Sequence, residues 1–118
     1  MMRLCYTPAA RNDIKNIVKW SAASFGVAAA MRYERLLAVA LSEISRNPDL
    51  SHSRKLSGFH DGLRSYHWRH QRHQAAVKEP RHFFVYRVAP DEVLVVRVLH
   101  ERMDIFGQIP GTESESEA

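Results

Sequence analysis

Two arginines interrupt otherwise apolar runs, Arg87 within HFFVYRV and Arg97 within VLVVRVL. A guanidinium in mid-strand must reach water, a carboxylate or an anion, because burying it unpaired is very costly. The expectation is a sheet with one face open or covered only by a partner; the alternative is an ion pair to an Asp or Glu of the same chain. A second group is histidine-rich: His67, His70 and His73, with Trp68, Arg69 and Arg72 between them. Zinc needs convergent ligands, and a spacing of three converges only on a helix. This segment reads as strand running into loop, and its cations disfavour a bound dication, so no metal is expected. Cys5 has no neighbouring base, and neither a glycine-rich phosphate loop nor an H-E-x-x-H helix is present. Paired carboxylates (Asp91-Glu92, Glu113 and Glu115) fall in a turn and a tail, where neither is desolvated or aimed. No cofactor is expected.

The elements that must position these residues follow from patterning. His82 to Val88 and Val93 to Leu99 are rich in Val and Phe and read as strands, joined by the turn Ala89-Pro90-Asp91-Glu92. Alternation puts Phe83, Val85 and Arg87 on one face and His82, Phe84, Tyr86 and Val88 on the other. In the next strand it groups Arg97 with Val93, Val95 and Leu99. Upstream, Met2 to Tyr6 reads as a short strand. Thr7-Pro8 starts a helix, with Thr7 as N-cap and Pro8 in the first turn. Ile14, Ile17, Val18, Ser21 and Phe25 follow at helical spacing, and Gly26 supplies a left-handed stop. A second helix spans about Val27 to Arg46, with Ala30, Tyr33, Leu36, Leu37, Ala40, Leu41 and Ile44 as its apolar stripe and Asn47-Pro48 as its end. The one-glycine link makes the two helices a hairpin that covers one sheet face. Pro48 to Gly62 reads as a polar connector, Leu63 to Arg69 as an alternating strand and Arg69 to Arg81 as a long basic loop. Tyr86 and Trp68 read as packing residues. The order is β-α-α-β-β-β, an α+β class with a helical hairpin on one face of a small, mostly antiparallel sheet.

Length and composition agree. The chain has 118 residues, 45% hydrophobic and 25% charged, ordinary values for one globular domain. That domain is expected over residues 1–110, with an acidic, disordered tail over 111–118. Net charge is +4, and the tail holds three glutamates and no base, which leaves +7 on residues 1–110. A basic body suits an acidic partner, nucleic acid or protein. No run is long and apolar enough to span a bilayer, and the start lacks a signal peptide's apolar core, so the expected compartment is the cytoplasm, with Cys5 a buried thiol.

The segments YTPAARNDI, SFGVAAAMRY, GLRSY, HFFVYRV and RVLHERMD together resemble the ParE branch of the RelE/ParE toxin superfamily, over Leu4 to about Phe106. The more specific part is His82…Tyr86-Arg87 followed by Arg97-Val98-Leu99-His100…Met103-Asp104. The resemblance implies the toxin of a type II toxin–antitoxin module, a plasmid-stabilisation or chromosomal one, without a cofactor. It implies a ParD-like or similar antitoxin wrapped on helices and sheet in a hetero-oligomer, and contact with DNA only through that antitoxin. ParE-like members poison DNA gyrase; RelE-like members cleave messenger RNA on ribosomes; an inactive relative would only bind its antitoxin. Under the first reading Arg64, Arg87, Arg97, His100, Arg102, Met103 and Asp104 are partner-binding residues. Under the second, Arg64, Arg87 and Arg97 supply cations, with Lys55 as a further charge, and His100 an acid or base. The plainer alternatives are His100 bonded to Asp104 or a backbone carbonyl, and Arg97 paired with Glu101 or Asp104. The Arg69–Arg81 loop departs from the usual ParE length, and such a loop can touch phosphate.

Overall fold

A computed structural model describes residues 1–50, 52–56, 62–103 and 105–108, so Asp104 and the 111–118 tail lie outside the described residues. The chain begins with β1 (Arg3–Tyr6) and turns into α1 (Pro8–Phe25) at Thr7. Thr7 is extended and its hydroxyl oxygen accepts the backbone N–H of Ala10, with Pro8 in the first turn, as the Thr-Pro pair predicts. Gly26, at φ 90°, is the single residue between α1 and α2 (Val27–Arg46), a backbone angle that a side chain would strain. The sheet then adds β2 (Arg54–Lys55), β3 (Leu63–His67), β4 (His82–Val88) and β5 (Glu92–His100), and a short α3 (Ile105–Gln108) follows.

The five strands lie in the order β1-β5-β4-β3-β2. The β1–β5 pair is parallel and the other pairs are antiparallel. The helical hairpin covers one face. Leu36, Ala40 and Ile44 from α2 are fully buried there against Tyr66, Trp68, Phe84, Tyr86, Val93 and Val95. Burying a side chain of the Leu, Ile or Phe class stabilises by about 1.5–3 kcal/mol, so this layer carries most of the fold. Phe25, placed in the α1 stripe by its spacing, is instead 65% exposed at the hairpin tip, where its ring meets the edge of Trp20. Ser21 is the last buried residue of α1.

The opposite face is not bare. Leu63, Phe83, Val85 and Leu99 form a second, smaller core there, with Leu56, Val96 and Ile105 packed against it. This corrects the expectation of an open face. Leu56 before β3 and Ile105 after β5 cover it.

Further expectations are revised. The polar connector contains β2, whose two exposed residues pair with Ser65 and Arg64 as an edge strand. The Leu63–Arg69 strand ends at His67, and the expected basic loop begins as a 3-10 helix over Trp68–Ala75. Strand alternation also fails in β5. Val85 opposes Arg97 while Tyr86 opposes Val95, so Val96 is an extra, bulged residue. A bulge shifts the pattern by one. Val93 and Val95 therefore face the helices, whereas Arg97 and Leu99 face the smaller core. Cys5, expected buried, is half-buried in β1.

Candidate functional site

On the face away from the helices, a cleft of about 250 Å3 opens between the β2–β3 edge, the 3-10 helix and the chain after β5. His52, Arg54, His67, Arg69 and His70 line one side of it, with Glu101, Met103 and Ile105 opposite. Each side chain arrives for a local reason. His67 is the last residue of β3 on the face of Phe83, its neighbour across the strands. The chain then tightens into the 3-10 helix because the His67 ring nitrogen Nδ1 accepts the backbone N–H of Arg69 at 3.0 Å and caps its start. That turn carries Trp68 into the main core and leaves Arg69 and His70 beside the cleft. His52 comes from the connector and stacks on His70, with ring centroids 4.2 Å apart and planes 9° from parallel.

The protons in this cleft can be assigned from geometry. With Nδ1 occupied as an acceptor, neutral His67 carries its proton on Nε2, which donates to Glu101 Oε2 at 2.9 Å. Glu101 Oε1 in turn accepts from Arg81 at 2.7 Å. The Arg81 and His67 hydrogen bonds hold the Glu101 carboxyl down at about 2, well below the usual range. Burial lowers His67, and Glu101 opposes that shift. Burial pushes His70 down to about 4, helped by the neighbouring His52 and Arg69. The cleft therefore presents a neutral imidazole, a fixed carboxylate and guanidinium groups within one small volume. Such a set can bind a phosphodiester and exchange a proton with it. Stacked imidazoles do not point their nitrogens at one centre, and among the described residues no three His, Cys, Asp or Glu side chains converge as metal ligands.

The residues singled out from the sequence are dispersed by the structure. Arg97 lies against Asp13 of α1, with Nε to Oδ2 at 2.7 Å and a second bond to Oδ1 at 2.9 Å. Its remaining nitrogen donates to the Gln108 carbonyl at 2.9 Å, so its carboxylate is Asp13 and not Glu101. Arg64 is on the helix face and donates to Ser53 Oγ at 2.6 Å. Ser53 meets the Tyr86 hydroxyl at 2.6 Å, and that hydroxyl donates to the Pro48 carbonyl. Arg64 thus anchors the connector to the sheet. Arg87 sits across from Leu63 with its Nε buried and without a hydrogen-bond partner among the described residues. His100 Nδ1 accepts the backbone N–H of Arg102 at 3.1 Å, and Asp104, one of its expected partners, lies outside the described residues. His100 lies opposite His82, with ring centroids 5.2 Å apart. Lys55 and Arg102 are exposed. Of the named residues among those described, only Met103 lines the cleft.

Sequence reasoning missed His52, Arg54, Arg81 and Glu101 as site residues. It noted His67, Arg69 and His70 but set them on a strand running into a loop. The one usable signal was their three-residue spacing, which matches the turn of a 3-10 helix.

Residues 4–105 match the family described as the ParE toxin of type II toxin–antitoxin system, parDE, and the chain belongs to that family, within the RelE/ParE superfamily. No curated protein matches the chain. Among solved structures it is similar to the chromosomal ParDE toxin–antitoxin system of P. aeruginosa, at 16% identity and TM-score 0.64, covering 85% of this chain and 96% of that one. It is also similar to the E. coli DinJ-YafQ toxin-antitoxin complex, at 16% identity and TM-score 0.56, covering 85% and 93%. A YoeB/ParE toxin from Agrobacterium tumefaciens matches at 17% identity and TM-score 0.55, covering 84% and 98%. At these identities the likeness is one of fold. No helix among the described residues is long and apolar enough to cross a membrane.

Proposed function

We propose that this chain is a toxin that acts by binding, poisoning DNA gyrase, and that an antitoxin encoded beside it holds it inactive. The observation that carries this reading is the Arg97–Asp13 pair. The last-strand cation that messenger cleavage would use is committed to the fold, and Arg64 and His100 are likewise engaged elsewhere. The family match over residues 4–105 supports the same reading. A gyrase poison makes no covalent change itself, so its action rests on contact surface.

The cleft supports a second reading, ribosome-dependent cleavage of messenger RNA. His67 with Glu101, neutral His70 and the guanidinium of Arg69 form the set of groups that moving a 2′-hydroxyl proton and stabilising a phosphorane require. One pair of assays separates them. Purified gyrase and supercoiled plasmid are titrated with the antitoxin-free protein, and linear DNA trapped by detergent is scored. Cleaved DNA that still accumulates with a His70→Ala variant supports poisoning. A blank there, with messenger cleavage in a translation extract that the same variant abolishes, supports the ribonuclease.

A further inference from the structure

The cleft carries more positive charge than its own carboxylate balances. Arg54 on β2 and Arg69 on the 3-10 helix stand on one side of it, both exposed, with the stacked His52 and His70. Among the described residues the one carboxylate that lines the cleft is Glu101, and both its oxygens are engaged, by His67 Nε2 and by Arg81. The ion pairs among the described residues fall on other cations and include neither Arg54 nor Arg69. His70 feels this surplus: burial first, and then the neighbouring His52, Arg69 and Arg54, hold it down at about 4. A cleft lined by one sign of charge draws the opposite sign into it.

The chain carries such a group next to the cleft. Ile105, at the start of α3, lines it, and the Gln108 carbonyl at the end of α3 accepts from Arg97 at 2.9 Å. The helix is a single turn, about 6 Å long, so the chain leaves it from a fixed point near the cleft. The sequence that follows, Ile109 to Glu117, is IPGTESESE. Pro110-Gly111 is a turn pair, which suits a reversal of direction. Beyond it Glu113, Glu115 and Glu117 alternate with Ser114 and Ser116. In an extended segment that alternation sets the three carboxylates on one side, about 7 Å apart. Gly111 to Glu117 has no apolar side chain to bury, so charge is what can hold it.

We propose that residues 113–117 dock in the cleft, with the Glu113, Glu115 and Glu117 carboxylates on the Arg54 and Arg69 guanidinium groups, and shield it from outside anions. Exposed ion pairs are individually weak. A short tether offsets this by holding the carboxylates at an effective concentration of about millimolar. The docking depends on the charge and shape of the cleft, whichever activity the chain has.

The test uses the antitoxin-free full chain. A nitroxide on Ser116→Cys, with Cys5→Ser to leave one thiol, is expected to broaden the amide signals of Arg54, Arg69 and His70 at about 50 mM salt and to release them at about 500 mM. A second comparison keeps Cys5 and stands if the labelled chain fails to fold. Glu113→Gln, Glu115→Gln and Glu117→Gln together are expected to shift amide signals over residues 52–56 and 67–70 as well as those of the tail. Arg54→Ala with Arg69→Ala is expected to abolish those shifts outside the tail. A short oligothymidylate, the probe for shielding, is expected to bind the triple glutamine variant about tenfold tighter than the parent at low salt, and no tighter once both arginines are alanine. Signal changes confined to the tail overturn the docking. Broadening over residues 29–33 and 77–81 instead assigns the tail to the helical side and overturns the cleft as its seat. Broadening that needs the nitroxide on one copy and the observed amides on another assigns the contact to a second copy and overturns the intramolecular docking. Equal oligothymidylate affinities, or no binding by any of the chains, overturn the shielding.

Discussion

Arg97 on β5 and Asp13 on α1 join sheet and helix by two hydrogen bonds of 2.7 and 2.9 Å, and Asp13 Oδ2 also accepts the Val98 backbone N–H at 2.9 Å. β1 pairs with β5 only as far as Val95. Beyond that point Asp13 does what a neighbouring strand would have done for the β5 edge. Both side chains are mostly buried, at 22% and 13% exposure.

Arg97→Ala removes the cation and leaves Asp13 with a backbone N–H alone. Breaking a buried pair from one side typically costs about 3–5 kcal/mol, and the partial exposure here argues for the lower end. Urea unfolding is expected to show a loss of about 3 kcal/mol. Antitoxin binding by the folded fraction is expected to be unchanged, since the Arg97 guanidinium is held by Asp13 and the Gln108 carbonyl. A variant as stable as the parent would show that the pair does not hold α1 to the sheet.

Thr7→Ala acts at the adjoining corner. The hydroxyl of Thr7 accepts from Ala10 as a helix cap and donates to the carbonyl of Val96, the bulged residue, at 2.6 Å. Losing an N-cap costs about 0.5–2 kcal/mol, and the lost bulge contact places the expected value near 2. Thermal unfolding of the single variant measures it. Thr7→Ser keeps both bonds and is expected to recover most of the loss.

What was legible in the sequence divides along physical lines. The helices, their caps and the β4–β5 hairpin carry their signals within a few residues, in Thr7-Pro8, Gly26, Asn47-Pro48 and the Val-rich runs. The bulge at Val96 leaves no trace, because VLVVRVL alternates acceptably in either register. Arg54–Lys55 becomes a strand through its partner β3, and two charged, exposed residues show no pattern of their own. The cleft joins His52, His67, His70 and Glu101 from separate parts of the chain, and only tertiary packing brings them together. For Arg97 the internal ion pair, one of the two alternatives for a mid-strand arginine, is what the structure shows, whereas Arg87 Nε has no hydrogen-bond partner among the described residues. The partner of Arg97 was hidden because Asp13 lies 84 positions away.

Acid is expected to weaken the fold through His82. This ring is buried, shares a 2.6 Å hydrogen bond between its Nδ1 and the Tyr33 hydroxyl and faces His100, and burial first, then the neighbouring histidines, lowers it to about 4. In the unfolded chain it titrates near 6.5, so between roughly pH 6.5 and 4 the unfolded state binds more protons. Stability is fully present above that window and falls through it, by up to about 3 kcal/mol from this residue. Below it, protonation of Glu101 removes the anchor of Arg81 and His67, a separate loss between its unfolded value and about pH 2. Urea midpoints from pH 7 to pH 4 measure the first step, and His82→Gln is expected to flatten it.

Glu101→Gln isolates the electrostatics of the cleft from its shape. The amide keeps the size of the carboxylate, but its single oxygen can take the place of only one of the two that meet His67 Nε2 and Arg81, and it removes the negative charge. Burial holds His67 below its ordinary value while Glu101 pulls it back up. Without that charge, and with Arg69 and Arg81 still nearby, the His67 titration is expected to move further down. Following the imidazole proton signals by NMR from pH 4 to pH 8 reads this directly. An upward move would mean that the Glu101 charge does not act on His67, and would remove the dyad from any phosphodiester chemistry. If the ribonuclease reading holds, the same variant also shifts the acid limb of messenger cleavage, because the group that exchanges the proton titrates at a different pH. A gyrase poison with the same substitution keeps its DNA-trapping titre, since its action uses contact and no proton transfer.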